Sequence, residues 1–252
     1  MKRSFAFFAL LCCASICHAQ SLETEIVQSS VDVLDDLVES PDRGIPRSLL
    51  QQAHAVAVFP HMIKAGFIIG GRHGRGLIVV RNANGNWSNP AFLTLTGGSI
   101  GFQAGAQSTD LVLVFRTRAG VDAILTGRDR IKLGANISLA AGPIGRESGA
   151  STDAQLRAEI FSYSRSRGLF AGAALDGATL RNDWFANEAF YDNEVLSPMD
   201  IITRTDLPVR ESTALLQRTL AAIAGKPQNP AGQPPVIPPA SAQAPGQPSA
   251  TK

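Results

Sequence analysis

Cysteine is confined to the first seventeen residues of this 252-residue chain, at Cys12, Cys13 and Cys17. Beyond them there is no thiol, which excludes disulfides, thiolate nucleophiles and Cys/His zinc sites there. Histidine is nearly as scarce, with four in all and none after His73. His54, His61 and His73 have no i, i+4 partner or paired carboxylate pattern of the kind a metal needs. No Gly-Lys-Ser/Thr follows any glycine-rich stretch, so a nucleotide-binding P-loop is excluded. Aromatic residues make up 6% of the chain. The apolar run from Phe5 to Ile16 is too short to span a bilayer.

What is present at the start has the layout of a secretory leader. Lys2 and Arg3 precede the apolar run, and "CHA" follows it with small residues at Cys17 and Ala19. This pattern predicts cleavage after Ala19 and export to the periplasm or cell envelope. A lipoprotein signal needs a small residue just before its cysteine. Leu11, Cys12 and Ile16 occupy those positions, so acylation is disfavoured. The apolar content of 44% suits one sizeable core.

Charge is unevenly placed. Residues 20–42 carry seven acids and no base, residues 43–182 carry 16 bases and seven acids, and residues 183–252 carry five bases and seven acids. A basic middle between acidic flanks suggests an anionic partner. It equally suits internal pairing between an acidic first helix and a basic body.

Apolar residues at helical spacing predict a helix over 22–40, ended by Ser40-Pro41. A short second helix is expected from near Pro46. The runs "AVAVFP", "GFIIGG", "GLIVVR", "AFLTLT" and "DLVLVFR" read as separate short strands joined by tight turns, with Asn84-Gly85 a hairpin signal. A helix is expected at 119–127, closed by Gly127. Strands follow in "IKLGANISLAAG", "EIFSYSRSR" and "GLFAGAAL", and another short helix in "NDWFANEAFYD". An amphipathic helix over 208–225 is capped by Gly225, and a Pro/Ala/Gln-rich tail at 227–252 predicts disorder. The fold class expected is α+β, a single domain with an antiparallel β-barrel or sandwich core and short flanking helices. Its divisions are a leader at 1–19, the domain proper at 20–205, the C-terminal helix at 206–226 and the tail at 227–252.

Two motifs invite chemistry. "FIIGGRHGRGLIVVR" places glycines between two strands rather than between strand and helix, so it predicts a hairpin turn. Its backbone N–H groups, with Arg72 and Arg75, could still form an anion nest. Gly97-Gly98-Ser99-Ile100-Gly101 matches the G-x-S-x-G nucleophile elbow. That elbow requires a following helix and a later histidine, and here glycine-containing strand texture and no histidine follow. Ser99 is therefore expected to be inert, and no enzyme activity, cofactor or metal is predicted.

Basic residues alternate in "GRDRIKLG" and "RAEIFSYSRSR", so that each set would point one way from an extended chain. Like charges stacked on one strand face repel unless an anion or carboxylate answers them. The candidate anion-binding residues are Lys64, Arg72, Arg75, Arg128, Arg130, Lys132, Arg165 and Arg167.

The pieces "IPRSLLQQAHAVAVFPHMIKAGFIIGGRHGRG", "WSNPAFLTLTGGSIGFQAGAQSTDLVLVF", "KLGANISLAAGPIGR" and "YSRSRGLFAGAALDGATL" occur in an order that resembles the SYLF domain family over about residues 22–205. The resemblance implies a non-enzymatic lipid-binding module that recognises anionic phospholipid head groups, notably phosphoinositides. For eukaryotic endocytic adaptors it also implies actin binding and membrane remodelling. In a bacterial envelope the corresponding lipids are cardiolipin, phosphatidylglycerol or lipid A phosphates. The alternative is an envelope protein-interaction module, with a protein partner reached through the tail. No nucleic-acid partner is expected. The wholly acidic first helix departs from a membrane-docking role, because an anionic bilayer repels it.

Overall fold

The computed structural model describes residues 21–39, 44–126, 130–143, 157–166, 169–192 and 194–225. The expected leader at 1–19, Ser40-Pro41, Gly127, Arg128, Arg167 and the expected tail at 227–252 lie outside these residues. In chain order the elements are α1 (Leu22–Glu39), α2 (Arg47–Gln52), β1 (Ala55–Val80), β2 (Ala91–Phe115), α3 (Arg118–Leu125), β3 (Ile131–Lys132) and β4 (Leu139–Ala141). They continue with β5 (Ile160–Ser166), β6 (Leu169–Gly172), β7 (Thr179–Asn182), α4 (Trp184–Phe190), α5 (Pro198–Thr203) and α6 (Glu211–Ala224). The α+β class and single domain expected from sequence are what the chain adopts.

The sheet is built on one long ribbon. β1 and β2 pair antiparallel from Ala55↔Phe115 to Ile78↔Ala91, and the link between them turns at Asn82–Gly85, with Gly85 at φ 83°. β2 is the central strand. Its first half pairs β7 and its second half pairs β5, while β3, β4 and β6 extend the seven-stranded sheet outward. All pairs are antiparallel except β4 with β5.

Here the expectation of separate short strands is corrected. "AVAVFP", "GFIIGG" and "GLIVVR" are one 26-residue strand, and the glycine-rich stretch is not a turn. A straight strand of that length would run about 86 Å. Yet the two ends of β1 meet, since the Arg81 N–H donates to the His54 carbonyl at 2.8 Å. The ribbon therefore folds back on itself. Register shifts at Phe59/Met62 and Gly66/Ile68 bend it, the first at Pro60-His61, where proline offers no N–H and His61 takes φ 52°. The fold-back is why glycine is needed. A Cβ on Gly76 would collide with the Val58 carbonyl, one on Gly70 with the Ala65 carbonyl, and one on Gly74 would crowd Met62. Across the ladder Gly71 faces Gly98, Gly66 faces Gly105 and Arg72 faces Gly97. The glycines let backbone pack on backbone.

Ala55–Phe59, Leu77–Val80 and Leu111–Phe115 are buried on both faces, which is why these runs are continuously apolar instead of alternating. The ribbon covers one side and helices the other. α6 packs against α1 and α2 through Leu216, Leu220 and Ile223. The side chain of Gln217 donates to the carbonyls of Trp87 and Ser88 at the ribbon tip. On α4, Asn187 accepts from the Phe92 N–H and donates to the Phe92 carbonyl, as a neighbouring strand would. Phe190 stacks edge-on with Phe92 and with Tyr191, whose hydroxyl donates to the Pro90 carbonyl. α5 was not expected from sequence. Its capping box of Ser197 and Asp200, with Pro198 in the first turn, was the available signal.

Candidate functional site

The candidate basic residues fall into two places on the sheet. At one end, Lys64 stands opposite Gln107 on the exposed bend of the ribbon, and Gln107 donates to Ser166 on β5. Arg165 on β5 stands opposite Asp110. At the other end, register aligns Arg75 on β1 with Thr94 on β2 and Arg181 on β7. Arg130 immediately precedes Ile131, whose partner Leu180 is followed by Arg181. Directly paired residues point the same way, so Arg75, Thr94 and Arg181 form a row across three strands, with Arg130 at its outer end. Lys132, exposed, lies two residues beyond Arg130.

These cations differ in what answers them. Arg75 donates to Asp183 at 2.8 Å and to Glu23 at 3.4 Å, all three groups being largely covered. Asp183 also accepts from the Thr94 hydroxyl and caps α4 by accepting from the Ala186 N–H. Arg165 is ion-paired to Asp36 and, at 3.4 Å, to Asp110. Asp110 in turn accepts the His61 N–H at the bulge. The acids of α1 thus clamp the helix to the basic sheet at Glu23–Arg75 and at Asp36–Arg165, the internal pairing that the charge distribution allowed.

Arg72 donates to the Ala174 carbonyl at 3.0 Å, and burial pulls its guanidinium below its ordinary pKa. It spans the ribbon rather than forming a nest with Arg75. Arg81 is buried over the Trp87 ring and donates to the carbonyls of Gln51 and Leu50 at the end of α2. Burial lowers its pKa as well. Among the described residues, Lys64, Arg130, Lys132 and Arg181 have no ion-pair partner.

Sequence reasoning missed Arg181, whose importance comes only from lying between Arg75 and Arg130. It also missed the neighbours that give this edge its second character. Trp184 is 41% exposed, Phe185 85% exposed and Leu22 52% exposed. The chain Glu23–Arg75–Asp183 ties the first turn of α1, which carries Leu22, to the start of α4, which carries Trp184, and α1 packs on α4. The signal available was the pair Trp184-Phe185 directly after a capping aspartate, where a helix places one side outward.

Little in the geometry suits catalysis. Ser99 lies inside β2, paired with Gly70, and the strand continues to Phe115 where an elbow requires a helix. Among the described residues no three His, Cys, Asp or Glu side chains are grouped to hold a metal. A crevice lined by Leu93, Ile124, Ile131, Leu180, Arg181 and Asn182 has an almost wholly buried apolar floor, as a helix packed on a sheet edge does.

Comparison with known proteins places this arrangement. Residues 96–223 match the family model described as Ysc84, Las17-binding protein actin regulator. The LAS seventeen-binding protein 3 of Saccharomyces cerevisiae is 36% identical over 169 residues, covering 66% of this chain and 36% of that protein. The human SH3 domain-containing YSC84-like protein 1 is 35% identical over 155 residues, covering 62% of this chain and 45% of that protein. A Schizosaccharomyces pombe SH3 domain-containing protein is 39% identical over 153 residues, covering 60% of this chain and 35% of that protein. The chain therefore spans less than half the length of these relatives.

Proposed function

The chain belongs to the Ysc84 family of Las17-binding actin regulators, in agreement with its SYLF resemblance, and from that premise we propose that it is a non-enzymatic protein-interaction module. One observation carries the reading. The family match at 96–223 runs from the central strand β2 to α6, and so takes in the sheet edge at β3 and β7 and the exposed Trp184 and Phe185. The relatives are named for a bound protein or for SH3 domains, that is, for binding and not for a reaction. Two of the strongest basic candidates, Arg75 and Arg165, are answered by carboxylates, which removes charge from a lipid reading and leaves a smaller mixed surface suited to a protein. The leader adds export to the proposal. In the cell envelope the same face would meet an envelope protein, and actin, named in the family description, is the filament on which its binding is tested. The mass of the protein isolated from its host tests this part, with Gln20 expected at the N-terminus and a diacylglyceryl increment counting against it.

A second reading, binding of anionic lipid head groups, keeps support from Lys64, Arg130 and Lys132, which are exposed and have no ion-pair partner among the described residues. A basic group near an anionic membrane contributes about 1 kcal/mol. Co-sedimentation with purified filamentous actin, beside flotation on phosphatidylglycerol vesicles, separates the readings. Pelleting with filaments and no flotation is expected. Flotation that weakens in the double variant Arg130→Ser/Lys132→Ser, without pelleting, would transfer the function to lipid.

A further inference from the structure

We propose that the edge formed by Leu22, Trp184, Phe185, Arg181, Arg130 and Lys132 is a docking surface for an acidic protein segment that carries apolar side chains. The proposal rests on the protein-interaction reading and names the surface and the chemistry of the partner.

The first observation is charge without an answer. Arg130, the residue before β3, and Arg181 on β7 flank the Ile131–Leu180 pair, both exposed, with Lys132 two residues beyond Arg130. Like charges gathered at one end of a sheet edge repel unless an anion sits between them. At the other end of the same row the fold supplies that answer to Arg75, through Asp183 and Glu23. For Arg130 and Arg181 it supplies none among the described residues.

The second observation is apolar surface without cover. Phe185 is 85% exposed and its chain neighbour Trp184 41%, while Leu22, 52% exposed, sits on the turn of α1 that Glu23 ties through Arg75 to the start of α4. Scattered apolar residues need no explanation, but an aromatic pair next to an aliphatic residue forms a patch, and aromatic side chains with arginine are the usual anchors of protein interfaces. Trp184 lies three residues beyond Arg181 in the chain, so the apolar and cationic ends are adjacent. An aromatic-and-arginine surface of this kind selects an acidic segment with apolar residues at one end.

The third observation decides between a protein and a bilayer. Leu22 is carried on the acidic helix α1, whose Glu25 is exposed one turn further along. A flat anionic membrane pressed on Trp184 and Phe185 would also meet these acids and be repelled. A discrete acidic segment can lie along the Arg181–Arg130 row and avoid them.

The test uses the full chain and a fluorescein-labelled 15-residue peptide of alternating Glu/Asp and Leu/Phe residues, with a Lys-for-acid control peptide and phosphatidylglycerol vesicles. The acidic peptide should bind the wild type and raise its anisotropy, with the Lys peptide inert. Binding should fall at least tenfold in Trp184→Ser/Phe185→Ser and in Arg130→Ser/Arg181→Ser, and stay unchanged in Lys64→Ser. All these side chains are exposed, and an unchanged thermal midpoint confirms each fold. Salt should weaken binding in the wild type and have less effect in the arginine variant. A wild type that ignores the acidic peptide, or patch variants that bind it as well as wild type, would overturn the surface. The actin experiment above decides the broader protein-interaction reading independently. Vesicle binding that vanishes in the patch variants, with no peptide binding, would assign the edge to a membrane and overturn the proposal equally.

Discussion

At the scale of single residues, glycine carries the most information. Gly71 and Gly76 lie in the same strand, but the space around them differs. A Cβ on Gly71 meets nothing within 4 Å, whereas one on Gly76 runs into the backbone of Val58 and the ring of Phe59. Gly71→Ala should be neutral or slightly stabilising, because glycine in a strand interior costs about 0.5–1 kcal/mol relative to alanine. Gly76→Ala should destabilise by about 1–3 kcal/mol or more, the range for overpacking. Urea denaturation of the pair measures this, and equal midpoints would show that the ribbon does not fold back at Gly76. Tyr163 makes a second case. Its ring is fully buried against Gly142, its hydroxyl has no hydrogen-bond partner among the described residues, and burial raises its pKa. An unsatisfied buried polar group costs about 1–3 kcal/mol. Tyr163→Phe should therefore hold or raise the thermal midpoint, and a clear drop would mean that the hydroxyl is bonded.

At the scale of elements, the acidic helix is held by charge as well as by its buried stripe of Ile26, Val27, Val31, Val33, Leu34 and Leu37. Asp183 is the joint where α1, β1, β2 and α4 meet, since it binds Arg75 and Thr94 and caps α4. Asp183→Ala removes a cap and leaves Arg75 with Glu23 alone. The expected loss is about 2–4 kcal/mol, drawn from cap deletions and from breaking well-covered ion pairs. Asp192→Ala, at an exposed pair with Arg210, should cost under about 1 kcal/mol. Differential scanning calorimetry of the two variants makes the comparison, and similar midpoints would reduce Asp183 to a surface charge.

At the scale of the whole molecule, α6 belongs to the core. Leu216, Leu220 and Ile223 are buried against α1 and α2. At about 1.5–3 kcal/mol for each buried aliphatic side chain, losing the three removes roughly 5–9 kcal/mol. That is the scale of a whole domain's stability, about 5–15 kcal/mol. Truncation after Val209 should leave the chain largely unfolded by circular dichroism. A cooperative transition near the full-length midpoint would show that α6 is dispensable.

Local features were decided by local sequence. The stripe of α1, the Asn84-Gly85 turn, the Asp183 cap of α4 and the Gly225 stop of α6 depend on residues within a few positions of each other, so spacing and turn chemistry suffice to read them. The family was legible for the same reason, as ordered blocks along the chain. Tertiary structure alone decided the rest. Whether "GFIIGGRHGRG" turns or runs on depends on the partner strand, whose own glycines accept it in register. Which arginines are spent and which are free depends on carboxylates 52 and 108 residues from Arg75. A ladder's register and an ion pair's geometry are long-range contacts, and one-dimensional spacing carries no record of them until β7 pairs with β2 and β3 with β7, bringing Arg181 and Arg130 to one edge.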